Sequence, residues 1–319
     1  MQTLLDPVIL FFLLGITAGA LKSDLRLPEA LYETLSIYLL VAIGLKGGVQ
    51  LAESDVSGIV LPAIATIGLG LAIPPFGYAI LRKLGRFSRA DAAAVAAHYG
   101  SVSVVTFAVV LTYLERLGVA YEGFVTTLLV IMEIPGIAVG ILIARLGASR
   151  GSLRMGPLLH ELFFGKSIFL LLGGLLVGAA VGPERVADVS PLFFDLFRGA
   201  LAFFLLEMGI VTAHRLGDLR RTGAFLVAFG TLMPVVLGLA GVIAGALSGL
   251  SVGGATVLGT LSASASYIAA TAAMRVAVPE ANPTLYLTAS LGITFPFNII
   301  VGIPIYYWMA TMIVGPVPL

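Results

Sequence analysis

Charged side chains are scarce in this sequence. Only 11% of its 319 residues are Asp, Glu, Lys or Arg, whereas 59% are hydrophobic. Soluble domains carry about 25% charged residues, so this chain lacks the polar groups needed to cover a water-facing surface. We therefore expect an integral membrane protein. Its net charge of +1 and the lack of long basic runs give no support for nucleic-acid binding.

The residue types behind much enzyme chemistry are also few. Cysteine is absent, which excludes disulfides, thiolate nucleophiles and iron–sulfur ligation. The three histidines, His98, His160 and His214, lack the H-E-x-x-H spacing of a zinc site. We expect no catalytic residues, no resident metal and no cofactor, and hence a protein that is not an enzyme.

Long apolar segments fill the chain instead. A spanning helix needs about 20 mostly apolar residues, and charged residues divide the sequence into ten such segments. They cover residues 4–21, 28–51, 58–81, 91–114, 123–145, 166–182, 191–213, 223–248, 251–275 and 284–313. This pattern predicts an all-α integral membrane protein of about ten transmembrane helices.

Lys and Arg are unevenly distributed among the loops. Most of the 18 lie in alternate loops, whereas the opposite loops hold only Arg116 and Arg185. Short cytoplasmic loops carry the excess of basic residues. We therefore expect a multi-pass protein of the inner (plasma) membrane with both termini outside the cytoplasm.

Short sequences recur in the same order in the two halves. I-G-L-K-G-G around Gly44 aligns with M-G-I-V-T-A around Gly209, and G-S-V-S from Gly100 aligns with A-S-A-S from Ala263. Further on, E-I-P-G aligns with T-F-P-F. Chance similarity of apolar segments is the alternative explanation, but three matches in order favour two related units of five spans each.

Five is an odd number, so the second unit must cross the membrane in the opposite sense to the first. This predicts a five-helix repeat in residues 1–147, a short cytoplasmic linker in 148–165 and an inverted five-helix repeat in 166–319. Inverted repeats are typical of secondary transporters, which bind substrate near the bilayer midplane where helices are discontinuous.

Hydroxyl-bearing and small residues lie near the middle of the fourth and ninth spans. Hydroxyls, and backbone N–H groups freed where a helix unwinds, bind anions without a formal positive charge. Close helix packing is the alternative interpretation of either stretch alone, whereas the symmetric pair favours crossing, broken helices around a substrate. The predicted substrate-binding residues are Gly100, Ser101, Ser103, Thr106, Ser264, Ser266 and Tyr267.

Ionisable residues within spans are functional candidates because burying them in lipid is costly. Glu133 lies at mid-depth before a proline, where its carboxylate would hold a cation or a proton. Ser103 and Thr294, the latter at the position matching Glu133, complete the predicted cation site. Lys46 and Glu207 are explained either as an interhelical pair or, for Lys46, as a side chain extending to the interface.

Several motifs in this chain are shared with one family. They are I-G-L-K-G-G from Ile43, the serine-rich run through Thr106 followed by L-E-R, E-I-P at Glu133, L-F-R-G from Leu196, R-x-G-D-L-R from Arg215 and A-N-P-T-L-Y from Ala281. Together they make the chain resemble the sodium-dependent bicarbonate transporters, best known from cyanobacteria. The resemblance implies five plus five inverted helices, a trimer, and bicarbonate and sodium bound where the fourth and ninth helices cross.

Two departures from the family pattern bear on function. Well-known members have an aspartate at the position of Tyr267, where a carboxylate would help to hold sodium. The linker in 148–165 is short, which weakens the expectation that a signalling protein docks there. Alternatives are a proton-coupled transporter of another small organic or inorganic anion, a passive channel and a sensory module. Expected partners are therefore a small anion, sodium or a proton, membrane lipid and further copies of the chain.

Overall fold

The computed structural model describes residues 6–25, 27–54, 56–146, 160, 164–216 and 223–315. In these residues all regular secondary structure is helical. Almost all of the predicted linker, 148–165, lies outside the described residues. The helices are α1 (Pro7–Ala20), α2 (Glu29–Glu53), α3 (Val60–Lys83), α4 (Arg89–Gly100), α5 (Val104–Leu117), α6 (Val125–Leu146), α7 (Lys166–Val186), α8 (Phe197–Leu216), α9 (Ala224–Leu247), α10 (Val252–Ala263), α11 (Ala269–Ala277) and α12 (Pro283–Val314).

Eight helical segments of the described chain are long and apolar enough to span a membrane, when α4 and α5 are taken together as one. Two of the ten predicted spans fall short for different reasons. The first corresponds to α1, which has 14 residues. The ninth is interrupted between α10 and α11, so neither piece reaches the length of a span.

Glycines bring two pairs of helices into backbone contact. A Cβ added to Gly44 of α2 would lie 2.6 Å from the Leu171 carbonyl oxygen of α7, and one added to Gly209 of α8 would lie 2.2 Å from the Phe12 carbonyl oxygen of α1. Only glycine allows such an approach. We call α1, α2, α7 and α8 the glycine-packed bundle.

Both pairs are parallel and use matching positions. Gly44 faces Gly174, and four residues later Gly48 faces Gly178, so α2 and α7 run in the same direction. In the other pair Gly209 lies against Gly15. The two contacts are equivalent under the sequence alignment, which already pairs Gly44 with Gly209.

The other helices, α3 to α6 and α9 to α12, form what we call the crossing bundle. Within it α3 and α6 cover α4, while α9 and α12 cover α10. Every residue of α10 is buried, and α4 is buried from Ala92 onward. The ends of α4 and α10 therefore lie in the protein interior and not on a lipid-facing surface.

Candidate functional site

Both hydroxyl-bearing stretches interrupt a helix. Between α4 and α5, Ser101 and Ser103 have extended backbones, with φ/ψ of −101°/163° and −99°/109°. Ser264, which follows α10, has φ −80° and ψ 162°. Backbone N–H and C=O groups at these breaks leave the helical hydrogen-bond pattern and become available to other partners.

The two breaks contact each other directly. The backbone N–H of Ser103 donates to Ser264 Oγ at 3.0 Å, and the backbone N–H of Ser266 donates to the His98 carbonyl at 2.8 Å. Each half therefore supplies a hydrogen-bond acceptor for a backbone N–H of the other half's break. The broken helices cross inside the protein.

Ser103 and Ser266 play matching roles at this crossing. Ser103 Oγ accepts from the Thr106 N–H at 3.2 Å and from Thr106 Oγ1 at 3.0 Å, at the start of α5. Ser266 Oγ accepts from the Ala270 N–H at 3.2 Å, in the first turn of α11. The N-termini of α5 and α11, which carry partial positive charge, are thus held at the crossing.

The equivalent carbonyls at the ends of α4 and α10 each have a close neighbour, although the two contacts differ in kind. Gly136 of α6 lies so close to Gly100 that an added Cβ would be 1.8 Å from the Gly100 carbonyl oxygen. In the other half, Asn298 Nδ2 of α12 donates to the Ala263 carbonyl at 2.9 Å. Gly100 therefore has a packing role at the crossing, because any side chain at Gly136 would displace it.

A small cavity lies beside the crossing. Its lining includes Ser103, Glu133, Ser266 and Tyr267, which the sequence singled out, and Ser167, which it did not. The cavity measures about 10 Å³, room for about one water-sized particle. The structure thus brings Ser103 and Ser266, two of the predicted substrate-binding residues, together with the predicted acid Glu133.

Several polar atoms near the crossing have no hydrogen-bond partner among the described residues. They include Ser101 Oγ and Glu133 Oε2, on side chains that are 0% and 1% exposed. The Tyr267 hydroxyl makes no well-formed hydrogen bond either, although Ser103 lies near enough to interact with it. Unsatisfied buried polar groups are costly, so a cluster of them beside a cavity indicates a place for a ligand.

Thr294 lies in a different environment from the one predicted. Its Oγ1 is 2.5 Å from the Tyr99 hydroxyl and donates to the Gly230 carbonyl at 2.8 Å. It is not among the residues that line the cavity beside Glu133. The structure therefore does not bring Thr294 to the cavity that contains Glu133.

Lys46 pairs with Glu115, so the suggested pairing with Glu207 is wrong. The Lys46 Nζ to Glu115 Oε1 distance is 2.5 Å, and Arg116 lies 3.0 Å from Asp6. Both pairs join the glycine-packed bundle to α5. The sequence does not indicate these partners, because Lys46 and Glu115 are far apart along the chain and come together only through helix packing.

Ser167 is the functional candidate that the sequence analysis missed. It lies in the first turn of α7, is 6% exposed, and lines the cavity as part of the glycine-packed bundle. Only one feature of the sequence could have indicated it, a single hydroxyl at the start of an apolar span. The equivalent position in the first half of the chain is not a serine.

The family model of the Na+-dependent bicarbonate transporter superfamily matches residues 7–311. A search of curated proteins gave no match.

Proposed function

Because the chain belongs to the Na+-dependent bicarbonate transporter superfamily, we propose that it moves bicarbonate across the inner membrane by sodium-coupled alternating access. The observation that carries this proposal is the direct contact of the two breaks, Ser103 with Ser264 and Ser266 with His98, in the protein interior. Broken, crossing helices are the means by which many secondary transporters bind ions away from water.

The crossing offers an anion several donors without a fixed positive charge. The α5 and α11 N-termini supply partial positive charge, and Ser101 supplies a buried hydroxyl that has no partner. Ser103 uses both hydroxyl lone pairs to accept from Thr106, so its own proton is free to be donated. Such donors suit a small monoanion such as bicarbonate.

The cavity beside the crossing suits the coupling cation. A particle there would meet the Glu133 carboxylate and the oxygens of Ser103, Ser266 and Tyr267. Hard cations prefer oxygen ligands, and the small volume favours a monatomic ion. In this proposal Glu133 supplies the negative charge that an aspartate at the position of Tyr267 would supply in other members.

Two inverted repeats provide the movement. Support comes from the equivalent contacts of Gly44 with Gly174 and of Gly209 with Gly15, and from the matching breaks. In this proposal the crossing bundle carries the ions and moves against the glycine-packed bundle, which acts as the scaffold. The trimer and the external position of both termini stay predictions from the sequence.

A second candidate is proton coupling at Glu133 with another small organic or inorganic anion as cargo. Tyr267 favours it, because a phenol is a weaker sodium ligand than a carboxylate. The two candidates differ in what drives uptake. A pH gradient without sodium would drive the second and not the first.

Uptake of labelled bicarbonate by purified protein in liposomes tests the proposal. We expect an inward sodium gradient to accelerate uptake, and Ser103→Ala/Ser266→Ala to abolish it while the protein stays folded. Ser248→Ala, in the loop after α9, is the matched control and should behave as wild type. Uptake that is indifferent to sodium, or unchanged in the double variant, would contradict the proposed site.

A further inference from the structure

The N-termini of α1 and α7 are equivalent positions in the two halves. Gly15 of α1 and Gly174 of α7 make matching contacts, as do Phe12 and Leu171, and each pair is separated by the same number of residues. Counting back along both helices aligns Asp6, which precedes α1, with Gly165, which precedes α7. The two helix starts can therefore be compared directly.

A carboxylate occupies the first of these N-termini. Asp6 Oδ1 accepts from the Val8 N–H at 2.9 Å, and its other oxygen lies 3.0 Å from Arg116 and 3.7 Å from Arg198. An anion is thus held between the first turn of α1 and two guanidinium groups. This is the arrangement that favours negative charge at a helix N-terminus.

Within the part of the chain that the structure describes, no side chain caps the equivalent N-terminus of α7. Gly165 has no side chain to offer, and the first turn carries no acidic residue. A cavity of about 190 Å³ lies there, lined by Gly165, Lys166 and Ser167 together with apolar residues of α6 and α11. A positively polarised helix end, a lysine and a hydroxyl therefore face a space large enough for a small polyatomic ion.

Ser167 points to a ligand independently of the helix end. It is 6% exposed, lines both this cavity and the one beside Glu133, and its hydroxyl makes no hydrogen bond within the described residues. The two cavities also share Ile268 and Ala269. An ion leaving the crossing would thus pass Ser167 before it reached Lys166.

The position of Ser167 relative to the start of α2 supports a passage for the ion. Because α2 and α7 are parallel and Gly44 faces Gly174, Ser167 lies level with residue 37 of α2. That is eight residues after the start of α2, or roughly 12 Å at the rise of an α-helix. The α7 N-terminus therefore lies about two helical turns farther in than the N-terminus of α2, on the side where Lys and Arg predict the cytoplasm.

We propose that the first turn of α7, with Ser167 and Lys166, forms a second anion site, which holds a small oxyanion between the crossing and the cytoplasm. The identity of the anion as bicarbonate rests on the proposed function. The existence of the site rests only on the cavity, the uncapped helix and the unpartnered hydroxyl. In the first half, the carboxylate of Asp6 occupies the corresponding place permanently.

Placing a carboxylate at the α7 N-terminus is the sharpest test. Gly165→Asp recreates the cap of α1, and the backbone φ of −55° is one that any residue adopts. We expect the half-saturating bicarbonate concentration for uptake to rise by about tenfold, whereas the uncharged control Gly165→Asn should raise it by about threefold at most. Ser167→Ala should raise it by about fivefold through loss of one hydrogen bond.

Calorimetric titration with bicarbonate separates this site from the crossing. In Ser103→Ala/Ser266→Ala protein, binding to one remaining site is expected, and adding Gly165→Asp should remove it. Loss of all binding in the double variant, or binding that persists with Gly165→Asp, would overturn the second site and leave the proposed function standing. Absence of sodium-driven uptake by wild type, with binding still sensitive to Gly165→Asp, would instead overturn the proposed function.

One more variant tests whether a carboxylate of the protein itself occupies the N-terminus of α7. Glu161 is the nearest acidic residue before Gly165 in the sequence. If the helix end is open to an external anion, Glu161→Gln should leave the half-saturating bicarbonate concentration within about twofold of wild type. Clearly tighter bicarbonate binding by Glu161→Gln would show that an internal carboxylate occupies the helix end, and would overturn the proposal.

Discussion

The glycine-packed bundle and the crossing bundle bury their backbones in different ways. In the first, backbones touch because glycines such as Gly48 leave no side chain between them. In the second, the backbone leaves the helix and is satisfied by serine hydroxyls and by the opposite break. The first bundle is therefore sensitive to added volume. The second also contains the tight contact of Gly136 with Gly100, and is in addition sensitive to the loss of polar groups. Substitutions in the glycine-packed bundle should therefore mainly lower stability, whereas substitutions of polar groups at the crossing should mainly impair transport.

The largest effect is expected from adding volume to the glycine-packed bundle. A Cβ at Gly48 would lie 2.1 Å from the Leu175 carbonyl oxygen and 2.8 Å from the Ala179 nitrogen, both backbone atoms. We expect Gly48→Val to lower the free energy of unfolding by about 3 kcal/mol, measured as a lower midpoint of thermal unfolding in detergent. Gly173→Ala is the control, since nothing lies within 4 Å of its Cβ. Equal unfolding midpoints for the two variants would show that α2 and α7 can move apart without loss of stability, and would contradict the prediction.

The next largest effect is expected on sodium dependence, when one acidic residue of each bundle is neutralised. Glu133→Gln removes the carboxylate beside the crossing, so the sodium concentration for half-maximal uptake should rise by about tenfold or more. Glu207→Gln changes an acid of α8 in the glycine-packed bundle and should leave that concentration unchanged. Sodium titrations of uptake measure both. A matching rise in the two variants would remove the reason for placing the cation beside Glu133.

How much the sequence reveals depends on the kind of contact, and this is the same in both bundles. The positions of the breaks and the pairing of Gly44 with Gly209 follow from short motifs, because backbone interruption and close approach each demand particular residue types. Lys46 and Thr294 were harder to interpret. Their partners, Glu115 and Tyr99, lie on helices whose relative rotation is set by packing and leaves no mark on local sequence.

Ser167 shows the same limit for the candidate site. Its hydroxyl becomes relevant only because the packing of α7 beside α11 places it in the lining of both cavities. No pattern near Ser167 records this packing. Motifs therefore indicate the candidate residues that recur in both halves of the chain, and they do not indicate Ser167, which lies in no motif and has no serine counterpart in the other half.

A smaller effect is expected at the ion pair that joins the bundles. Lys46 and Glu115 are each more than a third exposed, so Lys46→Met should cost at most about 1 kcal/mol of stability. Because the pair spans the two bundles, we expect the uptake rate to change while sodium affinity does not. The exchanged pair, Lys46→Glu with Glu115→Lys, should restore the wild-type rate. A failure to restore it would show that the charges act separately.

The smallest effect is expected at Tyr267. Tyr267→Phe keeps the ring, which packs edge-on against Phe295 at 5.4 Å, and removes only the hydroxyl. As one neutral ligand among several, that hydroxyl should change the half-maximal sodium concentration by less than about threefold. Sodium-dependent uptake measures this. A much larger change would make Tyr267, and not Glu133, the principal cation ligand.

The most direct test uses the absence of cysteine, since a single introduced thiol is then unique. Ser266→Cys places that thiol at the crossing, and Ser248→Cys places one in the loop after α9. We predict that bicarbonate with sodium slows the reaction of a small thiol reagent at position 266 and leaves position 248 unaffected. Equal reaction rates at position 266 with and without these ions would contradict anion binding at the crossing.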